Sequence, residues 1–183
     1  MKRRLILRAA GALAVAAPLA TLAQAAEWQT IVGRDLRFRI EMPAPASETK
    51  AAEKEKGHAS ELIAWESKRD GEMFNFDYVD YTPGWFSGRD TKVAARELGR
   101  GEAEKAFPRD KFKYVRDEPV TLQGWDGYAL DIQDAGGAVV MMRTYIVKDR
   151  LYRLLVTAKD DEASKAIAQR FLESLRLAET RPA

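Results

Sequence analysis

Four β-rich runs crowd the second half of the chain: Phe112 to Val120, Gly124 to Ile132, Ala138 to Lys148 and Leu151 to Ala158. Turn signals at Gly124, Gly136-Gly137 and Asp149-Arg150 separate them, and the links are short. A parallel neighbour needs a crossover of about a dozen residues or more, so runs this close in sequence favour antiparallel pairing.

The first half carries strands of the same kind. Trp28 to Val32 and Leu36 to Glu41 flank Gly33-Arg34-Asp35 and form an opening hairpin. In the second run Leu36, Phe38 and Ile40 alternate with Arg37, Arg39 and Glu41, the period of a strand with one buried face, and Met42-Pro43 ends it. Glu61 to Glu66 and Met73 to Tyr81 flank Lys68-Arg69-Asp70-Gly71, whose Asp-Gly is a hairpin signal. Phe74, Phe76 and Tyr78 share one face and are expected in the core. Residues 43–58 are rich in Ala, Pro, Glu and Lys and read as an exposed, flexible connection. A partner-binding loop is the functional alternative there, but the mixed charges come without an aromatic anchor.

Two helical patterns complete the chain. Thr91 to Phe107 carries Val93, Ala94, Leu98 and Ala106 at helical spacing, with Thr91 as cap, Gly99 and Gly101 weakening the middle and Pro108 closing it. Asp161 to Leu175 is capped by Asp160 or Asp161 and presents the stripe Ala163, Ile167, Phe171, Leu172 and Leu175. Two helices among about eight strands give an α+β fold in which helices cover an antiparallel sheet. Neither repeats nor a second composition regime appears, so a single domain is expected over 26–183.

Residues 1–25 are expected to be a signal peptide. Lys2, Arg3, Arg4 and Arg8 make a basic start, Ala9 to Leu22 is apolar and uncharged, and Ala23-Gln24-Ala25 supplies the small-x-small pattern for cleavage at Ala25/Ala26. The apolar run is shorter than the ~20 residues a membrane span requires, so no stable anchor is expected after cleavage. Arg3-Arg4-Leu5-Ile6-Leu7-Arg8 also resembles a twin-arginine signal, which leaves the export route open. The expected location is therefore the periplasm or the exterior. The chain has no cysteine, so neither a lipid anchor nor a disulfide is available and an apolar core must carry the stability. The leader holds four of the 30 basic residues and none of the 28 acidic ones, leaving 26 against 28, a net charge of −2. A slightly acidic chain with alternating charges has no nucleic-acid footprint.

The opening Trp28, the strand end Phe38-Arg39-Ile40-Glu41-Met42-Pro43, the turn Gly124-Trp125-Asp126-Gly127-Tyr128 and the closing Phe171-Leu172-Glu173-Ser174-Leu175-Arg176-Leu177 resemble the PsbP-like superfamily. That group is named for an extrinsic subunit of photosystem II. It also includes a Ran-binding nuclear-import factor and many small exported bacterial proteins. The resemblance implies an α-β-α sandwich and a non-catalytic role in binding or assembly. It carries over no functional residue, because its members do different jobs on one scaffold.

Chemical motifs are sparse. His58 is the one histidine, so a His/Cys metal cluster cannot be assembled, and no metal or cofactor is expected. Gly84-Trp85-Phe86-Ser87-Gly88 sets its serine one place too late for a nucleophile elbow. Gly99-Arg100-Gly101 begins like a dinucleotide fingerprint, but no strand precedes it and position 104 is Glu. Asp77 with Asp80, and Asp131 with Asp134, are the available carboxylate pairs. The first two have an odd separation and point to opposite faces of a strand, while the second two border a Gly-Gly turn where Asp is common. No catalytic residue is therefore assigned.

Tyr81-Thr82-Pro83-Gly84-Trp85-Phe86-Ser87-Gly88 places three aromatics in a Pro/Gly loop. Either Trp85 and Phe86 anchor a partner, or they fold back as a lid on the sheet. Trp125, between Gly124 and Gly127, has the same two options. Tyr81, Trp85, Phe86 and Trp125 are the candidate binding residues, with a protein partner or a small apolar ligand in view. A non-enzymatic binding or accessory domain is the expected function, and a carboxylate-dependent hydrolase is the alternative.

Overall fold

The structure, a computed structural model, describes residues 27–55, 58–106 and 109–181. The expected leader 1–25 and its cleavage site, with Phe107 and Pro108, lie outside the described residues. In chain order the elements are β1 (Trp28–Val32), β2 (Phe38–Pro43), β3 (Ser47–Glu55), β4 (His58–Arg69), β5 (Glu72–Asp80), α1 (Thr91–Ala106), β6 (Phe112–Leu122), β7 (Trp125–Asp134), β8 (Val139–Val147), β9 (Arg150–Ala158), α2 (Glu162–Leu172) and β10 (Arg176–Leu177).

Seven strands make the central sheet, in the order β3-β4-β5-β9-β8-β7-β6, and every neighbouring pair is antiparallel. Turn chemistry fixes the registers. Arg69 pairs with Glu72 across Asp70 and Gly71, both with positive φ, the conformation a two-residue hairpin loop requires. Gln123-Gly124 does the same between β6 and β7. A second, three-stranded sheet, β1-β2-β10, packs with α2 on one face of the large sheet, and α1 covers the other. The result is the expected α+β sandwich of helices about an antiparallel sheet.

The α2 face holds the larger core. Phe38, Ile40 and Met42 of β2 meet Trp65, Phe74, Phe76, Tyr78, Tyr152 and Leu154 of the sheet, with Phe171, Leu172 and Leu175 closing the end. Phe38 sits edge-on to Phe76, Tyr78 and Tyr152 at 4.9, 5.5 and 5.8 Å, the geometry that ring quadrupoles favour. Phe74, Phe76 and Tyr78 are buried as the alternation requires.

Several local expectations are corrected. Residues 43–58 are not mainly a connection: Ser47–Glu55 form β3, the edge strand of the large sheet, paired along its length with β4. Its Ala, Glu and Lys content is low in strand propensity, and cross-strand pairing overrides that preference. Leu36 is not a core strand residue but is exposed, in a left-handed conformation. Its amide donates to Gly33 O at 2.8 Å, so the turn uses the position that simple alternation gave to the core. Asp90, not Thr91, caps α1, its Oδ1 accepting from the amides of Lys92 (2.9 Å) and Val93 (3.1 Å). Helix α1 runs unbroken through Gly99, where a Cβ would lie 3.2 Å from Thr144 Oγ1, so the glycine lets the helix sit close to β8. In α2, capped by Asp161, the buried stripe is Ser164, Ala168, Phe171 and Leu172, while Ala163 is exposed. Strand β10 was not expected; Leu177 pairs with Phe38 and closes the small sheet.

Candidate binding surfaces

The aromatic loop after β5 folds inward. Successive turns hold it, with the amides of Trp85, Ser87 and Arg89 donating to the carbonyls of Thr82, Gly84 and Phe86. Phe86 is buried against Ala95, Tyr128, Ile146 and Leu151, beneath α1. Tyr81 stacks on Trp85 at 5.9 Å and meets Phe86 edge-on at 5.1 Å. Trp85 is half-buried, and the Arg89 guanidinium lies 4.6 Å from its ring centre. Three of the four candidate aromatics therefore form one cluster on the α1 face.

Trp125 stands apart from that cluster. It packs against the core of the opposite face, half-buried, with its indole N–H donating to Glu179 O at 3.4 Å. The chain end crosses over it: Gln123 exchanges hydrogen bonds with the backbone of Leu177, Lys148 pairs with Glu179, and Arg181 reaches Asp126 at 2.8 Å. Burial works to raise the Asp126 carboxyl, but Thr91 Oγ1 at 2.6 Å and Arg181 outweigh it and hold the group below the usual aspartate range.

The carboxylates considered for chemistry are engaged by cations or turns. Asp77 pairs with Arg153 (2.8 Å) on the α1 face, and Asp80 with Arg150 (2.6 Å) on the other, as their odd spacing requires. Asp131 accepts from Arg143 at 2.6 Å, and Asp134 Oδ1 from the Ala138 amide at 2.9 Å within its turn. The fold also brings Asp35 to Arg150 at 2.7 Å, so two acids distant in sequence share one buried guanidinium. Burial raises the Asp35 carboxyl, but Arg150 and the Arg37 amide and charge together outweigh it, and it ends below its ordinary value. His58 opens β4. Among the described residues, no group of three or more His, Cys, Asp or Glu side chains is placed to hold a metal ion.

Another opening lies between α2 and the outer face of the small sheet. It encloses about 850 Å³, with Thr30, Arg39 and Glu41 on the strands, Gln169 and Arg170 on α2, and Arg176 on β10. Strand alternation explains the first group: Phe38, Ile40 and Met42 point into the core, so Arg39 and Glu41 point out. Arg170 donates to Glu41 at 3.0 Å and lies 4.0 Å from the Trp28 ring centre, which fixes it as one wall. Arg39 and Arg176 are direct cross-strand partners. Sequence alternation already gave Arg39 a wet face, but its pairing with Arg176 depends on β10, which has no periodic signal of its own.

A large antiparallel sheet with α1 on one face and α2 with a small sheet on the other defines an α-β-α sandwich. Among solved structures, the chain is similar to the solution structure of cyanobacterial PsbP (CyanoP) from Synechocystis sp. PCC 6803. The TM-score is 0.59 at 10% sequence identity, over 88% of this chain and 99% of that one. The likeness is one of fold. No protein-family profile matches the chain, and no curated protein matches it in sequence. Among the described residues, no helix is long and apolar enough to cross a membrane.

Proposed function

We propose that this protein is an exported accessory domain that acts by binding rather than by catalysis, and that the groove between α2 and the small sheet receives what it binds. The groove itself carries the reading. It is a concave surface of ligand size, with charged and hydroxyl side chains converging on it from elements packed on the larger apolar core. The fold it shares with cyanobacterial PsbP supports an accessory role by analogy only. The aromatic loop is a weaker candidate, because Phe86 is consumed in packing. The hydrolase alternative needs a carboxylate available to move a proton, whereas Asp77, Asp80 and Asp131 each face a guanidinium.

The test uses protein recovered from the periplasmic fraction, where the mature chain is expected to begin at Ala26. Native mass spectrometry of the wild type is expected to show a co-purifying species. That species disappears in Ala166→Trp, which fills the groove from an exposed position on α2, while the far-ultraviolet spectrum is unchanged. A bound species retained by Ala166→Trp, or no bound species at all, removes the groove reading. Ester, glycoside or phosphoester turnover that is lost in Asp77→Asn restores the hydrolase.

A further inference from the structure

Resting on the groove reading above, we infer that the groove selects a small molecule bearing one oxyanion, a carboxylate or a phosphate, and that Arg39 opposite Arg176 is the recognition pair. Like charges directly opposite on neighbouring antiparallel strands destabilise a sheet, and Arg39 and Arg176 occupy that position. Among the described residues, neither forms an ion pair with a carboxylate: Arg39 is exposed, and Arg176 donates to the carbonyls of Glu173 and Leu175 at the end of α2. The two nearby carboxylates are already engaged: Glu41 accepts from Arg170, and Glu173 from Gln169. With Arg39, Arg170 and Arg176 set against Glu41 and Glu173, the groove carries one excess positive charge, which matches a ligand with a single anionic group.

Guanidinium groups suit this task because their fixed N–H forks match the spacing of carboxylate and phosphate oxygens. An oxyanion between Arg39 and Arg176 would convert a repulsive pair into two attractive ones. The pair is thus a cost to the empty fold that ligand removes, and stability and binding should respond to it in opposite directions.

That opposition supplies the test. Inorganic phosphate and acetate are titrated separately into the purified mature protein at constant ionic strength, with chloride as the control anion, by calorimetry and thermal melting. Saturable binding of one or both anions is expected, and the two titrations distinguish phosphate from carboxylate. Arg39→Gln is expected to weaken binding about tenfold or more, one charge-assisted contact being lost. Arg39→Glu, which sets a carboxylate opposite Arg176, is expected to abolish binding and raise the melting temperature of the anion-free protein. Overturning results are binding no stronger than that of chloride, affinity unchanged in Arg39→Gln, or an anion-free Arg39→Glu protein that melts below wild type. If either overturning affinity result appears while Ala166→Trp still removes the co-purifying species, the groove reading survives and the oxyanion assignment fails.

Discussion

The two faces of the seven-stranded sheet are built differently. On the α2 face, Phe38, Trp65, Phe74, Phe76, Tyr78, Tyr152 and Phe171 form one continuous aromatic core. On the α1 face, two smaller clusters sit under the helix, one around Phe86, Ala95 and Ile146 and the other around Ala103, Leu130 and Met142. Between sheet and helix on that side lie charges: Asp77 is buried with Arg153, which also reaches Glu102 of α1 at 3.3 Å, and Arg100 of α1 pairs with Asp117. Helix α1 is thus seated by small side chains and ion pairs, and α2 chiefly by the larger apolar Phe171 and Leu172. Desolvating paired charges offsets much of their attraction, whereas apolar burial scales with area. Rigidity should therefore belong to the α2 face, which also carries the groove.

Two phenylalanines measure that difference with one chemistry. Phe76 is fully buried between Phe38 and Tyr152, so Phe76→Ala is expected to cost about 3–5 kcal/mol in denaturant unfolding. Phe86 is buried too, but it hangs from a loop whose other residues are largely exposed and can settle into the space. Phe86→Ala is expected to cost about 1–3 kcal/mol, because a site that can collapse leaves less cavity. Equal costs would break the comparison. Native-state hydrogen exchange sharpens it further: the amides of α1 should open with a free energy at least ~2 kcal/mol below those of α2, as the less apolar unit.

The same contrast marks what could be read from the sequence. Strands with clean alternation were legible, because Phe74, Phe76 and Tyr78 put all their aromatic area on one side. The second-half hairpins were legible from their turn residues, Gly124 and Gly137 among them, which adopt the positive φ that such turns need. Strand β3 was not, since Glu53, Lys54 and their neighbours owe their conformation to pairing with β4, which no local pattern encodes. The α2 stripe was legible in part: Ile167, Phe171, Leu172 and Leu175 reach the core as their spacing indicates, but Ser164 and Ala168, small enough to pass as surface residues, face it as well, and Ala163 does not. The groove escaped for a related reason. Arg39 was correctly on a wet face, but only the two-residue strand β10 brings Arg176 beside it.

Acid should separate the faces as well. The Asp117 and Asp126 carboxyls tie α1 and its leading turn to β6 and β7. Burial raises both, but arginine and hydroxyl partners dominate and leave both below the ordinary aspartate value. A depressed folded value contributes stability that is present above the unfolded value of about 3.9 and is lost as pH falls through the folded one. Helix α2 loses part of its Asp161 cap over the same range, since the Ser164 amide also holds that carboxyl low. Its apolar stripe does not titrate. The opening free energy of α1 amides, obtained from exchange rates corrected for their intrinsic pH dependence, should therefore fall more than that of α2 amides as pH drops from about 4 towards 2. An equal fall would show that α1 does not depend on these ties.

The smallest expected effect tests how α1 is seated. Glycine inside a helix costs about 0.8–1 kcal/mol relative to alanine, so either glycine of α1 is a place to gain stability. At Gly101 a Cβ would have nothing within 4 Å, and Gly101→Ala should gain about 0.5–1 kcal/mol, a rise of a few degrees in Tm. At Gly99 a Cβ would lie 3.2 Å from Thr144 Oγ1 and 3.7 Å from Met142 Sδ, and both neighbours are buried and have little room to move. The propensity gain should be cancelled there by crowding, leaving Gly99→Ala near neutral or destabilising. If both substitutions raise Tm equally, Thr144 yields at no cost and the α1 face is softer than its geometry indicates. If only Gly101→Ala does, the helix is held at close contact at one point while its flank at Gly101 stands open, so the difference between the faces lies in how much apolar area each covers and not in how closely each helix approaches the sheet.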